Sequence, residues 1–446
     1  MGVAARRERR VAFHTFGCKL NQFETEALVS SFIANGFTVV AVDQDADAYV
    51  INTCTVTSRA DHKARSMIRG IARAHPGVPL VVTGCSAETE SESLSALAGN
   101  IVIVPQSEKS RLLDLPRSLA DSLDAGNDPD ARSLAALTTV SADPFALTAM
   151  DYSFHTRAFL KIQDGCDCRC AYCRVPLARG PSVSLPLEDV VKRAASLESR
   201  GRREIVLTGV NISAWRASGT ALPGLLPEIL RAATRARIRL SSLEPESLTP
   251  DLVEALSADR VCPHFHIPVQ SGSDSVLALM GRRYRSAGVI DGIGRLRAAR
   301  GEPFIAADIL VGFPGETEDD FRQTRAMVES LQFAALHVFP FSSRPGTAAE
   351  SMKPVVPERV RRERAHLLSA LAEQSGASYA RRWVGREVEV LLEGRETSGP
   401  HGVSANYLKV SIAGVPANAA IPGTMVRAEV TAAGRICSAR FIGLSG

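Results

Sequence analysis

Between residues 11 and 105 the chain alternates short apolar runs with longer stretches whose apolar positions recur every three or four residues. "VAFHTF" (11–16), "FTVVAV" (37–42), "AYVIN" (48–52), "LVVTG" (80–84) and "IVIVP" (101–105) predict strands, and 21–34 and 58–74 predict helices, the first stopping at Gly36. Uninterrupted apolar strands separated by helices are the pattern of a parallel sheet covered on both faces. This predicts a small doubly wound parallel α/β domain over 1–108. Residues 109–152 are small, polar and punctuated by Pro and Gly, and are expected to be an irregular linker. From 153 to 380 the alternation resumes. "AFLKIQ" (158–163), "EIVLTG" (204–209), "RIRLSSL" (237–243), "HFHIPV" (264–269), "FIAADILVGF" (304–313) and "ALHVFPFS" (335–342) predict six strands, most of them separated by helices. Six strand–helix units suggest a partial, open (β/α)6 barrel, a fold that carries its chemistry beyond the C-terminal ends of its strands. A helical stretch at 357–383 follows. Residues 381–446 then read as all-β: 387–394, 407–412, 423–434 and 435–443 are short strands between Gly and Pro turns, fitting a small five-stranded barrel of the OB type.

Composition narrows the class without naming it. Apolar residues make up 45% and charged residues 22% of 446, as in ordinary globular chains. The net charge of +4 permits a polyanionic partner only if the charge is clustered. Arg359, Arg361, Arg362, Arg364, Arg381, Arg382 and Arg386 gather at or near the ends of the 357–383 helix, with Lys409 beyond. Their place between the two barrels favours an RNA backbone over a merely solvated face. No run of eighteen uncharged apolar residues exists, and the basic start "MGVAARRERR" leads into no apolar core, so no membrane association and a cytoplasmic protein are expected. In a reducing compartment nine cysteines point to metal ligation or catalysis rather than disulfides.

Two cysteine patterns stand out. "CDCRCAYC" (166–173) contains Cys166, Cys170 and Cys173 as C-x3-C-x2-C on a loop just after a strand. Three thiolates so spaced suit three corners of a [4Fe–4S] cluster, leaving one iron open to a chelating ligand. Zinc is the alternative, with Cys168 as fourth ligand, although side chains that close would crowd one metal. Tyr172, just before the last thiol, would stack on a nucleobase-like ligand or pack in the barrel. The second pattern is scattered. Cys18 ("FGCKLN"), Cys54 ("NTCTV") and Cys85 ("TGCSA") each follow a strand, so all three fall on the edge of the sheet where open α/β folds build sites. Three converging thiols suit a second cluster. Cys262 and Cys437 lack such company and are expected to be structural.

These residues resemble a known family. C-x3-C-x2-C with an aromatic before the last Cys is similar to the radical S-adenosylmethionine signature. Together with the three-Cys N-terminal domain, "QDGCDCRCAYCRVPLARG", "EIVLTGVN", "RLSSLEP", "HIPVQSGS", "DILVGFPGE" and the terminal barrel, it resembles the methylthiotransferases over nearly the whole chain. "FGCKLNQFETE" and "NTCTVTSRA" resemble the branch acting on N6-threonylcarbamoyladenosine beside the tRNA anticodon, more than the branches acting on isopentenyladenosine or on a ribosomal-protein aspartate. The resemblance implies that Cys166, Cys170 and Cys173 hold the cluster that cleaves S-adenosylmethionine reductively. It implies that Cys18, Cys54 and Cys85 hold an auxiliary [4Fe–4S] cluster carrying the sulfur, and that a low-potential donor such as flavodoxin or ferredoxin supplies electrons. The terminal barrel, called TRAM in the family, would grip tRNA. Contacts to S-adenosylmethionine are implied among Tyr172, Gly209, Asn211, Glu244, His266, Gln270, Asp308 and Gly312. Glu316 belongs to the same set, though "GFPGE" also reads as a tight turn opening a helix. The chain departs from the family in "PSVSLP" after "LARG", where basic residues are usual, and in Cys168, which is expected not to be a ligand.

Overall fold

A computed structural model describes residues 8–55, 58–127, 143–149, 155–396 and 399–445. They form two compact units. The first comprises the described residues up to 149 with Asp164–Asp167 and Cys173–Ser182; the second holds His155–Gln163, Cys168–Tyr172 and everything from Val183 on.

The first unit is built on five parallel strands, β1 (Arg9–Thr15), β2 (Phe37–Val40), β3 (Ala48–Thr53), β4 (Leu80–Gly84) and β5 (Ile101–Pro105), in the order β2-β1-β3-β4-β5. Alternate residues serve opposite faces. Ala12, Tyr49, Ile51, Leu80 and Val82 pack with Ile68, Ile71 and Ala72 of helix α2 (Ser58–Ala74). On the other face Phe13 meets Phe32 of helix α1 (Lys19–Ala34) edge-on at 5.3 Å. Both faces are thus covered, which is why the strands read as unbroken apolar runs. The expected linker is partly ordered helix: a 3-10 turn spans Gln106–Leu113 and helix α3 spans Leu115–Asp124. Leu112, Leu115 and Leu119 are fully buried, an apolar stripe masked in the sequence by the polar "DAGNDPDA" that follows. Residues 128–142 and 150–154 of that expected linker lie outside the described residues, as does the basic start at 1–7.

In the second unit six parallel strands form two three-stranded groups. One holds β6 (Ala158–Lys161), β7 (Glu204–Thr208) and β8 (Arg237–Leu240); the other holds β9 (His264–Gln270), β10 (Phe304–Val311) and β11 (Ala335–Pro340). Bridges Ile238–Val261 and Ser242–His266 join the groups, giving the open barrel. The terminal β-barrel is closed, and it contains a strand that the apolar pattern does not announce. Its strands are β12 (Glu387–Glu396), β13 (Gly399–Ser404), β14 (Lys409–Ala413), β15 (Met425–Ala432) and β16 (Cys437–Leu444), ordered β12-β13-β14-β16-β15. The run expected from 407 begins at Lys409, because Tyr407 sits at φ 66° in a turn closed by its N–H to the Ser404 carbonyl. Cys437 lies in the barrel core and Cys262 is equally buried.

The two barrels of the second unit are tied by a buried ion cluster. Glu204 accepts from Arg237 and Arg239, both at 2.6 Å, and all three are buried. The guanidinium groups reach onward to the carbonyls of Val403, Ser404 and Ala405 at 3.0–3.1 Å. Burial alone would raise the Glu204 carboxyl, but Arg239 and Arg237 outweigh it and hold it well below the usual range. Its stabilisation is therefore present at neutral pH and is lost only as pH falls below the ordinary carboxylate range. Glu204→Gln leaves two buried cations without their anion and should cost about 3–5 kcal/mol, read as a lowered denaturation midpoint. Among the described residues no helix is long and apolar enough to cross a membrane.

Candidate iron–sulfur and S-adenosylmethionine sites

The order β2-β1-β3 places the topological switch of the first sheet between β1 and β3, where open α/β sheets leave a crevice. Cys18 follows β1 at the N-cap of α1; Cys54 follows β3; Cys85 follows β4 as the first residue of the short helix Cys85–Thr89. Glycines bring these loops into contact. A Cβ on Gly17 (φ +104°) would lie 2.7 Å from Cys54 Sγ, and one on Gly84 (φ +96°) 2.4 Å from the Thr53 carbonyl oxygen. Only glycine tolerates both the left-handed φ and the approach. Phe16 N–H donates to the Asn52 carbonyl at 2.8 Å and Asn21 Nδ2 to the Thr53 carbonyl at 2.9 Å, fixing the Cys18 and Cys54 loops together. Cys54 and Cys85 are buried and Cys18 is exposed, so this rim is closed below and open above.

Beneath it lies a charged network that strand patterning gives no hint of. Lys109 Nζ donates to Glu24 at 2.5 Å and to Asn52 Oδ1 at 3.1 Å. Arg179 donates to Glu24 at 2.9 Å, to Asp164 at 3.1 Å and to Asn21 Oδ1 at 2.8 Å. Burial pushes the Cys85 thiol up, opposed by Arg179 and Lys109. Arg174, next to Cys173, donates to Thr55 at 3.0 Å and pairs with Glu90. The stretch Cys173–Ser182 is thereby anchored within the first unit. Three thiols on loops that Gly17 and Gly84 bring into contact, with Arg179 and Lys109 near Cys85, are the donor type that an iron–sulfur cluster takes.

Of the "CDCRCAYC" thiols, Cys166 and Cys173 belong to the first unit and Cys168 and Cys170 to the second. None of the nine cysteines, all of them described, forms a disulfide. Cys173 Sγ accepts from Val175 N–H at 3.4 Å. In the second unit Ala171 N–H donates to the Met280 carbonyl at 2.9 Å, and Arg282 Nη1 donates to Cys170 Sγ at 3.2 Å. The other edge of Arg282 pairs with Glu244. Burial pushes the Glu244 carboxyl up to about 7 against the pull of that arginine. Tyr172 packs against an apolar cluster, its ring edge-on to Phe313 at 6.4 Å. Cys168 is half-buried, and Asn211 Nδ2 lies 4.0 Å from its Sγ. With the ligands at the C-x3-C-x2-C positions, Cys168→Ser should leave iron content and product formation at wild-type levels; loss of iron on anaerobic reconstitution would reopen the ligand set.

The remaining candidates lie in the barrel strands or just past their C-terminal ends. Gly209 and Asn211 follow β7, and Asn211 N–H donates to Gln163 Oε1 at 2.7 Å. Asn211 Oδ1 is buried with no partner among the described residues, an acceptor of the kind a bound ligand satisfies. Gln270 ends β9 at φ 65°. His266 and Asp308 sit within β9 and β10 rather than at their ends: His266 Nε2 lies 2.9 Å from Asp308 Oδ1, and His337 of β11, missed in the sequence, lies 3.0 Å from the same oxygen. Burial would raise Asp308, but both imidazoles outweigh it and hold it at about 2. Gly312 (φ +71°) leaves no room for a side chain against Arg361. Glu316 accepts from Gly312 N–H at 2.8 Å and pairs with Arg364 of the helix Glu358–Arg381, the tight-turn reading of "GFPGE". Arg364 is thus buried structure and not a contact for RNA; Arg361 donates to the Phe341 carbonyl. Arg359, Arg362, Arg381, Arg382, Arg386 and Lys409 are exposed.

Residues 10–105 match the uncharacterized protein family UPF0004 and residues 160–328 the radical SAM superfamily. A protein of Treponema pallidum named threonylcarbamoyladenosine tRNA methylthiotransferase MtaB is 38% identical, covering 96% of this chain and 99% of its own. The Bacillus subtilis protein of the same name is 36% identical over 95% of this chain and 94% of its own. A tRNA-2-methylthio-N(6)-dimethylallyladenosine synthase of Cereibacter sphaeroides is 34% identical over 95% and 96%. Among solved structures the radical S-adenosylmethionine methyltransferase TsrM of Kitasatospora setae shares the fold, with a TM-score of 0.54 at 17% identity over 77% of each chain. Relatives this similar over nearly their full length place the chain plainly: it belongs to the radical S-adenosylmethionine methylthiotransferase family.

Proposed function

We propose that this enzyme inserts a methylthio group at C2 of N6-threonylcarbamoyladenosine next to the anticodon (position 37) of tRNA, giving 2-methylthio-N6-threonylcarbamoyladenosine. The cofactors of the family are two [4Fe–4S] clusters and S-adenosylmethionine. The reading is carried by relatives of that name at 38% and 36% identity along almost the whole chain. The motif "FGCKLNQFETE", which resembles that branch, supports it.

On this reading Cys166, Cys170 and Cys173 hold one cluster and Cys18, Cys54 and Cys85 the other. The C2–H bond of adenine is not acidic, so no general base in the chain activates it; S-adenosylmethionine, when bound, supplies the radical. The chain's own task is to bind, orient and exclude water. Asn211 offers its buried carbonyl oxygen to the cofactor. The adenine must leave the stack to reach a buried pocket, and positioning then carries much of the rate. The terminal barrel and the exposed Arg359, Arg362, Arg381 and Lys409 meet the tRNA backbone. Arg359 and Arg362 pair only with surface glutamates, contacts of about 0–1 kcal/mol that phosphate readily replaces. Electrons come from a low-potential donor such as flavodoxin or ferredoxin, and the enzyme works in the cytoplasm.

Mass spectrometry of tRNA nucleosides from a deletion strain tests the substrate. Loss of 2-methylthio-N6-threonylcarbamoyladenosine, with its unthiolated precursor retained, is the expected result. Its persistence, with loss of the dimethylallyl counterpart or of the ribosomal-protein modification, would move the enzyme to another branch.

A further inference from the structure

Arg282 follows the helix Asp274–Leu279 through Gly281, whose φ of +73° turns the chain back toward the cysteine loop. A Cβ on Gly281 would stand 3.4 Å from the Arg169 carbonyl oxygen, and Ala171 N–H donates to Met280. The turn and the middle of the cysteine loop are therefore one packed piece within the second unit. Every edge of the Arg282 guanidinium is committed. Nε donates to Tyr284 Oη at 3.0 Å, Nη2 pairs with Glu244, and Nη1 donates to Cys170 Sγ at 3.2 Å. Tyr284 is itself fixed by its hydroxyl, which donates to the carbonyls of Pro268 and Val269 at 3.0 and 2.9 Å. The arginine side chain is only 6% exposed.

A buried cation with a fixed N–H aimed at sulfur is poorly matched to a neutral thiol and well matched to a thiolate. We propose that Arg282 is a positioning residue that sets the reduction potential of the radical-forming cluster through its hydrogen bond to the Cys170 thiolate. The inference rests on the reading above that Cys170 ligates that cluster. Hydrogen bonds to cluster sulfurs favour the reduced, more negative state and raise the potential. Glu244, on the far edge, offsets the arginine's charge at longer range. What reaches the sulfur is the near N–H group, in a site dry enough for it to count. Glu244 and Tyr284 hold the guanidinium in its one productive orientation.

The test is an EPR-monitored redox titration of the reconstituted protein, the relevant signal being the one that changes when S-adenosylmethionine is added. Arg282→Gln should keep full iron content and lose tenfold in the equilibrium constant for reduction, about 59 mV more negative for one electron. Arg282→Lys, which keeps the charge without the planar fork, should fall between. An unchanged midpoint in Arg282→Gln at full iron overturns the inference. Should that variant fail to hold iron, wild-type protein labelled with 15N-arginine decides. A nitrogen coupling in the same signal is expected, and its absence overturns the inference. A wild-type protein with no signal responsive to S-adenosylmethionine would sink the cluster assignment itself, and this inference with it.

Discussion

Alanine at Cys166, Cys170 or Cys173 is expected to bring formation of 5′-deoxyadenosine from S-adenosylmethionine down to the no-enzyme background, and to reduce iron from about eight to about four per chain. A cubane with three protein thiolates has no ligand in reserve, because its fourth iron is the one left for the cofactor. Cys168 is the one further thiol in the same loop, and it falls outside the C-x3-C-x2-C spacing. The auxiliary thiols lie on a separate sheet edge, after β1, β3 and β4, so their iron should survive. Anaerobic reconstitution with iron analysis, followed by chromatography of the nucleoside product after chemical reduction, reads both quantities. Wild-type turnover in any of the three variants would remove that residue from the ligand set. A loss of all iron would mean that the two groups of thiols do not fold or load independently.

What the sequence makes legible here follows from the physics of parallel sheets. Strands buried on both faces must be continuously apolar, so "AYVIN" and "LVVTG" announce themselves, and with them the residues that stand just past their ends. Cys18, Cys54 and Cys85 are found that way. The order in which the strands lie is not written in any one of them, and it is the order β2-β1-β3 that puts Cys18 and Cys54 on either side of the crevice. Buried charge is the other blind spot. Lys109, Glu24 and Arg179 look like surface residues in the sequence, because ionic side chains are seldom buried unless paired, and the partners are brought together only by the fold. Arg282 is hidden in the sequence for the same reason, and Arg364, expected to contact RNA, is the buried partner of Glu316. Strand Gly399–Ser404 is not legible in the sequence because "GPHGVS" has the composition of a turn. It is a strand because the barrel closes there, and Gly402 is required by the pairing: a Cβ on it would stand 2.1 Å from the Leu391 carbonyl oxygen.

Alanine at Cys54 should separate the two halves of the chemistry. Cys54 is 4% exposed, and Gly17 lies so close that a Cβ there would stand 2.7 Å from the Cys54 Sγ, which leaves no room for a side chain to replace the lost thiolate from that side. Removing one small sulfur from this contact leaves at most a minor cavity, and the hydrogen bonds of Asn21, Asn52 and Thr53 that knit the loops remain. The variant should therefore fold, with a melting temperature near wild type. Iron should fall to about four per chain, that of the cluster read as belonging to the other three cysteines. 5′-Deoxyadenosine should still form on reduction, while the methylthio nucleoside falls to background in tRNA incubated with the variant, since the radical would be made with no sulfur to deliver. Two results would each sink this division of labour. One is methylthiolated tRNA at wild-type yield from the Cys54→Ala protein. The other is loss of 5′-deoxyadenosine together with the product in a variant that remains folded and keeps its remaining iron.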